Sequence, residues 1–277
     1  MAERKSTFKG DLKSERAVNE FLQKHLYSRL VDKGIIATFN SETTDDQQHN
    51  GIDTIVYIFN ADKTVNQNGI NIDEKTALHY AKTNLNEKSL PTFAFEVSYL
   101  KYEKLKIGWL TNEKYDGTKI YFLCWLWIKA NANKYDLNCE DILKIEVMSI
   151  YKKTIRDNLI SRALGRIDIK SFEENAVVLR KKMRDKGVKR LELERKLEPL
   201  INSLADTEEY EGAAQMGIHP EKSNRLSYPQ WVLSSSDTLN EAPLNIVVEK
   251  EELVNLASSH WVITPDSFIV KKTVSKK

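Results

Sequence analysis

Gly51-Ile52-Asp53-Thr54-Ile55-Val56-Tyr57-Ile58-Phe59, followed after a polar loop by Ile70-Asn71-Ile72-Asp73-Glu74-Lys75, is the stretch on which the fold turns. Both segments read as strands. Side chains of a strand alternate between its faces, so Asp73 and Lys75 project to one side and Glu74 to the other. Residues 52–59 are apolar on both faces except at Asp53 and Thr54, the pattern of a central strand covered on both sides. An acid at the mouth of such a strand needs a partner or a cation. Two acids on neighbouring strands, with an ammonium two residues from one of them, can hold a hard divalent cation. Such an ion takes one or two carboxylates and completes its shell with phosphate oxygens and water.

Outward from this pair, Val18, Phe21, Leu22, Leu26 and Leu30 recur at three- and four-residue spacing and predict a helix over 14–30, closed by Gly34. Residues 35–39 read as a short strand, 41–50 as a polar loop, and 60–69 as a hairpin-type connection. Ala77, Leu78, Tyr80 and Ala81 give 76–85 a helical character. After Pro91, residues 92–100 form a strand with Phe93, Phe95, Val97 and Tyr99 on one face and Ala94, Glu96 and Ser98 on the other. Residues 120–128 are a fifth, strongly apolar strand, in which Trp125 and Trp127 read as core rather than as a base-stacking surface. His79 reads as a packing or surface residue.

The order helix, strand, strand, strand, helix, strand, with Asp53 on the second strand and Asp73-Glu74-Lys75 on the third, resembles the PD-(D/E)XK nuclease superfamily. The resemblance covers the first half of the chain. It implies an α/β, restriction-endonuclease-like core with a mixed sheet over 1–135, and an α+β C-terminal extension over 136–277 that could share that sheet. It also implies Mg2+ (or Mn2+)-dependent hydrolysis of DNA phosphodiester bonds. Asp53, Asp73 and the backbone carbonyl of Glu74 would hold the metal, and Lys75 would orient the attacking water or stabilise the charge building on phosphorus. In some members an acid from the first helix joins the site. Glu15, one turn before Val18, is better placed for this than Glu20, although both also read as first-turn acids that favour the helix dipole. The chain departs from the family pattern at Ile52, where a proline is usual, and at Glu74, where an apolar residue is usual. A second register takes Glu96-Val97-Ser98 as the triplet, with Ser98 in place of lysine. The first register supplies the lysine and leaves Glu96 as an auxiliary acid or a structural polar group.

The remaining chain bounds the reading. With 277 residues, 41% apolar and 9% aromatic, it can bury a sizeable core. A net charge of +2 does not announce a nucleic-acid binder, so any basic surface must be local. Cys124 and Cys139 have no metal-ligand spacing and point to a reducing, cytoplasmic compartment. The polar start, without an apolar core of a signal peptide, and the lack of a run of about 18 apolar residues predict a protein that neither is secreted nor spans a membrane. In the second half, 142–150 reads as a strand and 154–164 as a helix stopped by Gly165. Ser171-Phe172-Glu173-Glu174 reads as a capping box opening a helix that runs to Gly187. Residues 206–236 read as a long polar loop, 244–248 as a strand, 251–257 as a helix and 261–263 as a closing strand before a basic tail with Lys271, Lys272, Lys276 and Lys277. Between residues 144 and 196 there are 16 Lys and Arg against 8 Asp and Glu. Lys152, Lys153, Arg156, Arg180, Lys181 and Lys182 could grip a phosphate backbone without reading sequence, or could equally line solvated helix faces.

The sequence therefore points to a Mg2+-dependent endonuclease acting on DNA, of restriction, repair, phage or mobile-element type, with a homodimer as the natural source of paired cuts. One rival is a catalytically inactive nuclease-like protein that binds nucleic acid or a protein partner through its basic second half. Another is a phage or mobile-element structural protein whose acids are merely surface residues.

Overall fold

In the computed structural model the protein is described over residues 8–41, 44, 47, 50–101, 104–193, 196–204, 229–234 and 242–273, with backbone alone for 8–12. Strand β1 (Thr38–Asn40) pairs antiparallel with β2 (Thr54–Tyr57), which pairs antiparallel with β3 (Ile70–Thr76). The strand after Pro91, expected in the core with Asp53 and Asp73, does not join this sheet. The next neighbour of β3 is β6 (Ile120–Ile128), paired in parallel so that Asp73 lies beside Tyr121 and Lys75 beside Leu123. All nine residues of β6 are buried, as a strand covered on both faces requires. Strands β7 (Ile142–Tyr151), β11 (Ser259–Ile263) and β12 (Phe268–Thr273) extend the sheet, each antiparallel to its neighbour, to the order β1-β2-β3-β6-β7-β11-β12. The architecture is thus mixed α/β around a mixed seven-stranded sheet.

One face of this sheet is closed by an N-terminal helical segment. It runs as α1 (Phe8–Leu22), one π turn (Gln23–Tyr27) and α2 (Ser28–Asp32), and stops at Gly34, whose φ of 64° is readily reached without a Cβ. Val18, Phe21, Leu22, Leu26 and Leu30 are buried as their spacing predicts, and the π turn also rotates Tyr27 inward. They form one core with Ile72, Phe122, Cys124, Leu126, Val147, Trp261 and Ile263. Each such side chain contributes about 1.5–3 kcal/mol on burial.

The helix expected over 76–85 is a single 3-10 turn, Leu78–Tyr80. Its backbone instead follows β6: Ala77 N–H donates to Cys124 O at 3.0 Å, Lys82 N–H to Leu126 O at 2.9 Å, and Ile128 N–H to Lys82 O at 2.8 Å. Of the apolar residues that suggested a helix, Leu78 is buried while Tyr80 is exposed, so strand pairing outweighs a weak helical period.

The chain divides into two compact units, and the boundary is not at residue 135. One unit comprises Met1–Leu90, Lys114–Lys152 and Leu253–Lys277; the other comprises Pro91–Glu113 and Lys153–Glu252. The reason is that β7, β11 and β12, from the expected extension, complete the first sheet, whereas β4 (Thr92–Lys101) and β5 (Lys104–Ile107) leave it. In the second unit these join an antiparallel sheet ordered β5-β4-β10-β9-β8, with β8 (Arg190–Glu192), β9 (Gln230–Leu233) and β10 (Leu244–Glu249). Phe93 and Phe95 of β4 lie opposite Val248 and Ile246 of β10. Helices α3 (Lys152–Leu164), α4 (Ile169–Asp185) and α5 (Leu197–Ser203) belong to the same stretch of chain, and α6 (Lys250–Leu256) follows β10. Helix α4 starts before the expected capping box: Asp168 is the N-cap and accepts from Ser171 N–H at 3.1 Å. Its Phe172 stacks on Trp231 of β9. The long loop expected over 206–236 lies outside the described residues except at 229–234, which includes β9. No helix among the described residues is long and apolar enough to cross a membrane.

Three of the six basic residues expected on phosphate have structural contacts instead. Arg180 is buried in the second unit and donates to Ser98 O and Oγ at 3.3 and 3.4 Å and to Ala242 O. Lys182 donates to Ile201 O at 2.9 Å, tying α4 to α5. Lys152 is buried at the end of β7. Lys153 and Lys181 are exposed, and Lys153 pairs with Asp157 one turn on. Arg156 is half-buried. In the tail, Lys272 donates to Val254 O and Asn255 O at the end of α6; Lys276 and Lys277 lie outside the described residues. Arg180→Met is therefore expected to lower stability by about 2 kcal/mol, whereas Lys181→Met should stay within about 0.5 kcal/mol, as read from urea midpoints.

Candidate active site

Asp53 stands just before β2, its N–H donating to Ile72 O at 2.9 Å. Thr54 lies opposite Ile72, so continuing the antiparallel register by one residue sets Asp53 beside Asp73. Alternation along β3 then sorts the side chains. Ile72 and Glu74 face α1 and its core, while Asp73 and Lys75 face the other way.

Asp73 is almost entirely buried, with 1% of its side chain exposed. Lys75 Nζ lies 2.7 Å from its Oδ1, and its Oδ2 is buried without a hydrogen-bond partner. Burial, reinforced by the nearby charge of Asp53, pushes the Asp73 carboxyl up to about 7 against the pull of Lys75. For Lys75, burial works against the ammonium, but Asp73 and Asp53, with help from Glu15, outweigh it and hold its pKa above the ordinary lysine value. Glu15 is exposed on α1 and reaches the site through its charge. Asp53 is half-buried and aimed by the main chain: its Oδ2 accepts from Glu74 N–H at 2.7 Å.

Glu74, the residue that departs from the resembled pattern, occupies a half-buried polar cluster on the helical side. Tyr27 Oη donates to its Oε1 at 2.7 Å and Thr54 Oγ1 to the same oxygen at 3.0 Å; Asn19 Nδ2 donates to Oε2 at 3.1 Å. Ser41 Oγ is 3.0 Å from Thr54 Oγ1, and Gln23 Nε2 donates to Asn19 Oδ1 at 2.6 Å. Burial and the Asp53 charge raise the Glu74 carboxyl to about 7, opposed by these donors. Asn19 and Tyr27 are not among the residues the sequence motif marks. The signal was there in Asn19, Gln23 and Tyr27, polar groups at the margin of an otherwise apolar helical stripe.

Glu96 is on β4 in the other unit, opposite Asn245, where its charge supports that of Arg180; Ser98, the third residue of the alternative triplet, holds the same arginine. His79 approaches Tyr135 Oη at 3.3 Å. Glu20, Cys139 and Glu140 also converge, with ligand atoms within 4.8 Å of one another. Lys24 already answers their charge, with Nζ 2.7 Å from Glu20 and 3.9 Å from Glu140.

Asp73 and Asp53 fit a hard divalent cation. Both offer carboxylate oxygens, and Asp73 Oδ2 is a buried acceptor that no protein donor meets, which a proton or a cation must compensate. Lys75 is the adjacent permanent positive charge.

Two outcomes follow from the Glu74 cluster. Glu74→Ala should cost about 2–3 kcal/mol, because it strands the Tyr27 hydroxyl and the Asn19 amide, whereas Glu74→Gln should cost less than about 1 kcal/mol at pH 5. The pH dependence has a definite sign. Glu74 ionises near its ordinary value of 4.5 when unfolded but near 7 when folded, so the folded state holds a proton the unfolded chain has released. Its contribution to stability is thus lost as pH rises from about 4.5 to about 7 and is level outside that window. Relative to wild type, Glu74→Gln should gain on the order of 1–3 kcal/mol across that window in chelator-treated protein, measured by denaturant titration.

The chain matches no family model, no curated protein and no solved structure.

Proposed function

We propose that this protein is a metal-dependent nuclease that hydrolyses DNA phosphodiester bonds at Asp53, Asp73 and Lys75. The observation that supports it most directly is the buried Asp73 carboxylate, with one oxygen against the Lys75 ammonium, the other without a donor, and a second acid beside it. Asp53 and Asp73, together with the backbone carbonyl of Glu74, would hold Mg2+ or Mn2+. When bound, the cation supplies charge neutralisation at the scissile phosphate and a water of lowered pKa.

The protein's own groups do the rest. Asp53 is oriented by the Glu74 amide, so its carboxylate does not have to be ordered when substrate arrives. Lys75, held charged by two acids, places a donor where negative charge builds on the phosphoryl oxygens. Glu74 is kept on the helical side by Tyr27, Thr54 and Asn19, so its side chain does not compete for the cation. DNA as the substrate rests on the basic side chains that remain exposed, among them Lys153 and Lys181. Endonucleolytic, paired cuts would call for a homodimer.

Supercoiled plasmid incubated with Mg2+ or Mn2+ tests this reading. Wild type should yield nicked or linear product, while Asp53→Ala and Lys75→Ala should reduce the rate at least about 100-fold with unchanged circular dichroism. Parental rates in either variant would rule out the assignment. Linear product appearing without a nicked precursor would support concerted action by two copies.

A further inference from the structure

Beside Asp73 the main chain is closed in by a short turn that the nuclease chemistry above leaves unexplained. Gly51 has a φ of 70°, and a Cβ built on it would lie 2.7 Å from Tyr115 Cδ1 and 3.1 Å from Asp73 Oδ2. The edge of the Tyr115 ring and the carboxylate oxygen that lacks a donor thus meet over the same glycine. Tyr115 is half-buried, and Lys114 Nζ lies 5.9 Å from its ring centroid.

The turn carrying that ring is fixed from several directions. Thr118 Oγ1, fully buried, donates to Gly51 O at 2.7 Å, and Thr118 N–H to Tyr115 O at 3.1 Å. Asn71 Nδ2 on β3 donates to Gly117 O at 3.0 Å, and Lys119 N–H to Asn71 O at 3.0 Å. Lys152, one of the candidate phosphate contacts, donates from Nζ to Tyr115 O at 2.6 Å and lies 3.4 Å from Asp116 Oδ1. A lysine only 3% exposed carries a desolvation cost, and here its charge serves the carbonyl of Tyr115 itself. Such a held turn gives an aromatic edge at the rim of an acid pair, with the ammonium of the exposed Lys114 over its ring.

We infer that Tyr115 is a substrate-contacting residue, its ring stacking on a nucleobase next to the phosphate held at Asp53 and Asp73, with Lys114 meeting the adjoining backbone. This rests on the nuclease reading for the identity of the ligand, and on the Gly51, Tyr115 and Asp73 geometry for the place. Stacking on a side chain is indifferent to base identity, because every base has a π face. The contact therefore predicts affinity for the nucleotide without sequence preference.

The test is binding of a short fluorescein-labelled single-stranded oligodeoxynucleotide in Ca2+, read by anisotropy, beside an abasic deoxyribose-phosphate oligomer of the same length. Tyr115→Ala should weaken binding of the base-bearing strand about tenfold, as loss of one base stack does. Tyr115→Phe should stay within about twofold of wild type, and on the abasic oligomer wild type and Tyr115→Ala should bind alike. Equal binding of the base-bearing strand by wild type and Tyr115→Ala, an equal loss on the abasic oligomer, or no binding by wild type would each overturn the inference. Plasmid cleavage separates it from the nuclease reading. Base-dependent binding through Tyr115 in a protein that never nicks DNA keeps the contact and removes the chemistry. Metal-dependent nicking with a silent Tyr115→Ala does the reverse.

Discussion

The parallel pairing of β3 with β6 is the constraint on which the rest depends. β3 lies between β2 and a wholly buried β6, and Ile72 and Asp73 at its middle are buried. An ionisable group at that depth needs compensation inside the protein. Asp73 and Glu74 are adjacent on that strand and face opposite sides, so a buried and a half-buried carboxyl sit in two different environments. On one side Tyr27, Thr54 and Asn19 supply neutral donors that satisfy Glu74. On the other, Lys75 meets one oxygen of Asp73 and nothing meets the second. The same burial that raises both carboxyls toward 7 thus makes one a structural group and leaves the other able to take a cation.

The support around the acids is mostly main chain. Asp53 is aimed by a backbone amide of the neighbouring strand, Gly51 supplies a turn that a side chain would obstruct, and Thr118 and Lys152 act on backbone carbonyls. Groups held this way lose little freedom when a ligand arrives, which favours a site on strands over one on loops. The helical segment contributes as well. Its π turn brings Tyr27 into the core, where the ring stacks near Phe39 and Phe122 and the hydroxyl reaches Glu74. A feature of helix geometry is thereby linked to the polarity of a buried strand.

The basic second half shows how charge counts mislead. Its excess of lysine and arginine is real in the sequence, yet Arg180, Lys182 and Lys152 are tied to main-chain carbonyl oxygens. A long cationic side chain can act as a tether for main chain as readily as a ligand for phosphate. Sequence distinguishes the two only when the partner is local, and the partners here lie 19, 37 and 82 residues away.

Local pattern was enough for much of the molecule. The period-two alternation determined that Asp73 and Lys75 share a face opposite Glu74, the three- and four-residue spacing determined the buried stripe of the N-terminal helix, and the uninterrupted apolar run marked β6 as a strand. These depend only on the geometry of a single element. The burial on both sides expected of 52–59 belongs instead to β6, since β2 alternates buried and half-buried residues and Phe59 is exposed. Which strand lies next to β3, where the chain divides, and who satisfies Glu74 were decided by the tertiary structure. Residues 76–85 had a helical pattern but pair with β6, and the strand after Pro91 joined β10, about 150 residues further on, rather than the sheet of Asp53. Pairings of that range are settled by competition among distant surfaces for burial and for hydrogen-bond partners, and no window of local sequence contains that comparison.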